Sequence, residues 1–184
     1  RPLLPVIGAL ALITILAIPA LSLRQGFTDN SGKAEGSPAR VAYDLRAEGF
    51  GAGASAPYLA VVDLSASSDP SAYLEVITAL NETPGVAETN PSLEVLPILA
   101  KISEASSEGD ANPIQVMAVY PTTAPQDAAT SELLTTLRED VNPALEATTE
   151  AVILMGGTAA ITADFTTVLS QALPVFLLLV VGLG

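Results

Sequence analysis

Apolar residues are distributed along this chain in three different rhythms. The first is unbroken: from Leu3 to Leu23 there is no charged residue, and Arg1 and Arg24 bracket the run. At helical rise such a run reaches about 31 Å, the thickness of a bilayer's hydrocarbon core. Pro5 and Pro19 sit near its ends, where a missing amide hydrogen bond matters least. The rival reading is a secretory signal peptide, with Ala20-Leu21-Ser22 as a loose cleavage site, but the run is longer than a typical signal core and has no Met start. A transmembrane helix over residues 1–24 is the better expectation.

The second rhythm alternates between helical and strand periods. Asp29 to Gly36 is a polar, turn-rich connector. Ser37-Pro38 opens a helix with a hydroxyl cap and proline in the first turn, and Val41, Ala42 and Leu45 form its apolar side before Gly49 and Gly51 end it. Tyr58 to Val62 reads as a nearly continuous apolar strand. Asp69-Pro70 then caps a helix whose Tyr73, Val76, Ile77 and Leu80 recur at helical spacing. Pro84-Gly85 turns into a strand around Val86, which Leu93, Val95 and Leu96 either prolong or leave as a short arm. Ser106 to Asn112 is a polar turn and Ile114 to Tyr120 a further strand. Asp127 caps a helix with Leu133, Leu134, Leu137 and Val141 on one side, and Ala151 to Met155 is a short last strand. From Tyr58 onward the order is strand–helix–strand–strand–helix–strand. That is the ferredoxin-like, split βαβ pattern of an α+β domain, spanning residues 25–157.

The third rhythm closes the chain. A helix from Thr158 carries Ile161, Phe165, Val168, Leu169 and Ala172 on one face and meets no break on its way into the terminal hydrophobic run except Pro174. The run from Leu173 to Gly184 is too short to cross a bilayer alone. We read residues 158–184 as a connecting helix running into a truncated transmembrane helix, within a natural protein longer than this chain.

Charge sharpens this picture. Hydrophobic residues make up 49% of the chain, yet its net charge is −13, and all 20 acidic residues lie between Asp29 and Asp164. Between the hydrophobic ends only Lys33, Arg40, Arg46, Lys101 and Arg138 are basic. Loops poor in Lys and Arg favour the extracytoplasmic side, a tendency that weakens in long loops. The expected location is the plasma (inner) membrane, multi-pass, with the domain outside. A −13 chain repels phosphate backbones, so nucleic acid is not an expected partner.

Candidate chemistry is sparse. With no Cys and no His, disulfides, thiolate metal sites and imidazole catalysis are excluded. Gly49-Phe50-Gly51-Ala52-Gly53 has the composition of a dinucleotide loop but follows a helix and precedes a strand, so it reads as a flexible linker. Gly156-Gly157-Thr158 has the right order for an anion site but lacks the Walker lysine, and reads as a tight turn. Glu139-Asp140, the closest carboxylate pair, cannot converge when adjacent on a helix. No catalytic, cofactor or metal residue is therefore expected, and the chain does not read as an enzyme.

The residues do resemble a family. In order they are Arg24 to Phe27, Ala42-Tyr43-Asp44-Leu45, Glu48-Gly49-Phe50-Gly51 and Tyr58-Leu59-Ala60-Val61-Val62-Asp63. Tyr120-Pro121-Thr122-Thr123, Gln126-Asp127-Ala128-Ala129-Thr130 with Leu137-Arg138, Gly156-Gly157-Thr158-Ala159 and Ala172-Leu173-Pro174 follow. Each is short, but their sequence between two hydrophobic runs resembles the MMPL transporters of actinobacteria, in the resistance-nodulation-division (RND) superfamily. The resemblance implies the second half of such a transporter, from its first span through its porter domain, in a proton-driven exporter of lipids or other hydrophobic compounds. It also implies a proton relay in later spans, since neither hydrophobic run here holds an ionisable residue. The implied partners are a lipid or hydrophobic substrate, membrane lipid and the rest of the same transporter chain, with a homo-oligomer left open. The competing expectation is a membrane-anchored extracytoplasmic binding or sensing module.

Overall fold

A computed structural model describes residues 29–67, 69, 71–92 and 113–183, together with Gly8, Leu12 and Ile15. The first hydrophobic run, apart from those three residues, and the stretches around Leu93–Ser103 and Ser106–Asn112 lie outside the described residues.

A 3₁₀ turn, Asn30–Gly32, precedes α1, Pro38–Phe50, whose first turn is capped by the Ser37 hydroxyl accepting from the Arg40 amide. Gly51, at φ +90°, stops it, and a 3₁₀ turn, Ala52–Ser55, leads into β1, Tyr58–Asp63. Next come α2, Ala72–Glu82, β2, Val86–Asn90, and β3, Ile114–Pro121. α3, Ala128–Thr136, and α4, Asn142–Thr149, are joined by a wide π-spaced turn, Leu137–Val141. β4, Val152–Gly156, and α5, Thr158–Leu183, complete the chain.

The four strands form one sheet in the order β2-β3-β1-β4, and every pairing is antiparallel. The fold is α+β. Helices α2, α3 and α4 cover one face: Tyr58, Ala60 and Val62 of β1, Met117 and Val119 of β3, and Ile153 and Met155 of β4 meet Val76, Ile77, Leu80, Leu134, Leu137 and Leu145 in one core. The strand period of two and the helical spacing of three and four thus point at the same place.

Both sheet edges are closed by helix side chains, which blunts them against strand addition. On β4 the Ile153 amide donates to Glu146 (2.7 Å), Asn142 donates to the Ile153 carbonyl (3.3 Å), and Arg138 donates to the Met155 carbonyl (2.8 Å). On β2 the Thr89 amide donates to the Asn81 side-chain oxygen (3.2 Å).

The structure adds to or corrects the sequence reading at four points. Val41 and Leu45 of α1 face outward and the helix buries no residue, because its contacts are with the turns on either side rather than the core. The residue before α2 is Ser71; Asp69 instead accepts from the Ser71 amide (2.8 Å) and hydroxyl (2.7 Å), one turn upstream. The helical stretch that carries Leu133, Leu134, Leu137 and Val141 continues to Thr149. Pro143 has no amide to donate, and the wide turn just before it accommodates that loss. Finally, the glycine run before β1 is packed rather than loose: a Cβ on buried Gly53 would collide with the Pro121 carbonyl oxygen.

Candidate functional site

A concavity lies where α5 leaves the sheet. Gly157 makes the turn from β4 at φ +94°, and a Cβ there would press on the Pro57 carbonyl and the Leu59 amide at 3.0 and 3.1 Å. Only glycine fits such a turn without strain. Ala159 and Ala160 then bury the first turn of α5 against the domain, while Ile161, Phe165 and Val168 stay exposed. The apolar side that Ile161, Phe165 and Val168 form therefore points away from the domain, and the buried contact is made by alanines.

Between α3 and α5 opens a groove of about 810 Å³. Hydroxyls line much of it, but they are turned onto their own backbone. Thr130 donates to the Ala124 carbonyl (2.7 Å), Thr162 to Thr158 (2.9 Å) and Thr167 to Ala163 (2.9 Å). None of these three hydroxyls is directed at a general base.

Arg138 is the node of this junction. Its guanidinium donates to both carboxylate oxygens of Asp164 (2.5 and 3.1 Å) and to the Met155 carbonyl, tying α5 to the domain. The Asp164 hydrogen bond raises the Arg138 pKa further above its ordinary value. A two-pronged pair of this kind fixes orientation as well as adding energy. Beside it, the buried Tyr58 hydroxyl donates to the Thr130 carbonyl (2.5 Å), and burial pushes that phenol up to about 12.

The two glycine motifs and the Glu139-Asp140 pair do not converge on a site: Gly53 and Gly157 make close backbone turns, and both carboxylates are exposed. Sequence reasoning missed the Arg138–Asp164 pair. The available signal was isolation, since Asp164 is the only charged residue after Glu150 and Arg138 the only basic one after Lys101.

Beyond Asp164, α5 carries no charge, is apolar from Ala172 onward and continues through Pro174. The stretch Thr158–Val180 is long and apolar enough to cross a membrane, and beyond Ala160 none of its described side chains is buried by the domain. Asp164 thus belongs to the same helix as the terminal apolar run, although its charge is held by the domain. A folded α+β unit from which a helix of span length departs, unburied beyond its first turn, has the build of a membrane protein. Comparison with known proteins agrees: the chain is 27% identical, over 182 residues and 99% of its length, to "Membrane protein YdfJ" of Bacillus subtilis (strain 168). It spans 23% of that protein's length, about a quarter. No protein-family profile matches the chain.

Proposed function

We propose that this chain supplies the extracytoplasmic porter domain of a multi-pass, proton-driven exporter of lipids or other hydrophobic compounds, of the MMPL type in the RND superfamily. Its domain, in this reading, is ferredoxin-like. The strand–helix–strand–strand–helix–strand order and the β2-β3-β1-β4 antiparallel sheet support that reading. The observation that carries it is continuity: the domain sits between an uncharged hydrophobic run and a span-length helix, and likeness to a membrane protein extends through all three.

An exporter needs the domain to respond to its membrane segments. The Arg138–Asp164 pair joins the two and is a natural place for that coupling. The proton relay is placed in spans beyond this chain, and the domain handles cargo.

The test uses the intact protein in vesicles carrying a fluorescent lipid and an imposed pH gradient. Export that stops when a protonophore collapses the gradient is the expected result. Export that continues unchanged overturns proton coupling, and a protein that moves no lipid or apolar dye under any gradient overturns the exporter reading.

A further inference from the structure

The sheet has one end at which the chain both arrives and leaves. β1 starts there, with Tyr58 opposite Val119, and β4 finishes there, with Gly156 opposite Leu59. α5 begins just beyond. Gly53, in the Ala52–Ser55 turn, packs on Pro121 at that end, and α1 packs on the same turn. Helix α1 therefore lies at the end of the domain from which the span-length helix departs.

Its two sides differ. Ala39, Tyr43 and Ala47 are half-buried against the domain. At 100° per residue, Pro38, Val41, Ala42, Leu45 and Gly49 share an arc on the opposite side, and all five are exposed. Asp44 and Glu48 border this arc on one side and Arg46 on the other, with Asp44 held by Arg40 at 2.8 Å.

Charge selects the occupant. Residues 29–49 hold four acidic and three basic side chains, a net of −1. Residues 50–157 hold fifteen acidic and two basic ones, a net of −13. An anionic surface repels the bulk of the domain and leaves the α1 end as the part able to approach it.

We propose that α1 is an interfacial helix, lying on the surface of the bilayer that α5 enters. Val41 and Leu45 dip into the boundary between headgroups and acyl chains, and Arg46 and Lys33 meet lipid phosphates. The inference rests on α5 entering the membrane and not on export.

The chain contains no Trp, so a single introduced one reports its own surroundings. The full chain, reconstituted in vesicles of phosphatidylcholine and phosphatidylglycerol, carries Val41→Trp, Leu45→Trp, Leu154→Trp or Leu178→Trp. Brominated phosphatidylcholine and acrylamide are the quenchers. With Leu178→Trp quenched by brominated lipid, Val41→Trp and Leu45→Trp are expected to be quenched too, most strongly by bromines near the headgroup end, with blue-shifted emission. Leu154→Trp, on the open sheet face, is expected to respond to acrylamide alone. Adding Leu45→Glu to Val41→Trp should abolish the lipid quenching. Val41→Trp reached by acrylamide but not by brominated lipid overturns the proposal. Protection from both quenchers also overturns it, assigning the stripe to a protein contact. A Leu178→Trp that brominated lipid leaves untouched removes α5 from the bilayer, and the interfacial helix with it.

Discussion

The two faces of the sheet are made from the same kinds of residue and end in different surroundings. Tyr58, Ala60 and Val62 of β1 point into the core, while their neighbours Leu59 and Val61 point away from it. Across the outer face Val61 lies between Val116 and Leu154, and Ile114 and Val152 flank Asp63 one pair further along. These are apolar side chains that the described helices do not cover; Leu154 is 63% exposed. Composition did not decide which face was buried. The helices decided it, because α2 and the α3–α4 pair both return on the same side. The outer face has the character of a surface meant for contact, since contiguous apolar patches are uncommon where a protein meets only water.

The largest effect that sharpens this contrast is a truncation on the covered side. Leu80 is fully buried in the core, and Leu80→Ala should destabilise the domain by about 2–5 kcal/mol, through lost apolar contact and the cavity left behind. Urea unfolding of the full chain in nonionic micelles, followed by circular dichroism, measures it. A loss no greater than that of an outer-face truncation would erase the distinction between the two faces.

Glycines at the α1 end provide a second, smaller contrast. Gly53→Ala forces a methyl into the Pro121 carbonyl and should cost about 1–3 kcal/mol. Gly49→Ala, four residues earlier, adds a methyl to open space on a helix and should be neutral or stabilising by up to about 1 kcal/mol. Opposite signs in the same unfolding assay are the expected outcome. Equal and small effects would mean that the turn before β1 is loose after all.

What could be read from the sequence follows the same division. The order of strands and helices was legible because Val76, Ile77 and Leu80 keep a helical spacing while Tyr58 to Val62 forms a compact apolar run bounded by turns. The Ser37-Pro38 start was legible because cap chemistry is local. Sidedness was not: Val41 and Leu45 satisfy an amphipathic pattern equally well whether their stripe meets a core or something else. The continuation through Pro143 was hidden because a proline signals a stop unless the preceding turn widens, and that widening is a property of the folded helix. The Arg138–Asp164 pair spans 26 positions, so no local window contains it.

A third contrast concerns the one tyrosine that hydrogen-bonds from the covered face. Tyr58→Phe removes the bond to the Thr130 carbonyl while keeping the ring, and should cost about 1 kcal/mol. The wild-type phenol also makes the domain sensitive to alkali. Its folded pKa, about 12, lies above the ordinary value of 10.0, chiefly because burial disfavours the phenolate. A raised folded pKa means that the contribution is complete below pH 10 and is lost as pH climbs through about 12, by at most about 3 kcal/mol. Tyr58→Phe should flatten that part of the stability–pH curve, and phenolate absorbance should show Tyr58 ionising late.

The smallest expected effect is the one on which the comparison turns. Leu154→Ala and Val116→Ala remove outer-face side chains that lie on either side of Val61 and are more than half exposed. In the described fold they support no helix, and truncating them leaves no enclosed cavity. Each should shift stability by no more than about 0.5 kcal/mol, as ordinary surface changes do. The same substitutions in the intact protein test something different. If the outer face is covered there by another part of that protein, both should become costly while Leu80→Ala keeps its effect. Measured side by side in chain and intact protein, the outer-face truncations separate a surface that merely tolerates apolar residues from one that a neighbour needs. Small effects in both settings would leave the two faces unequal only in exposure, and no contact would explain the Val116–Val61–Leu154 row.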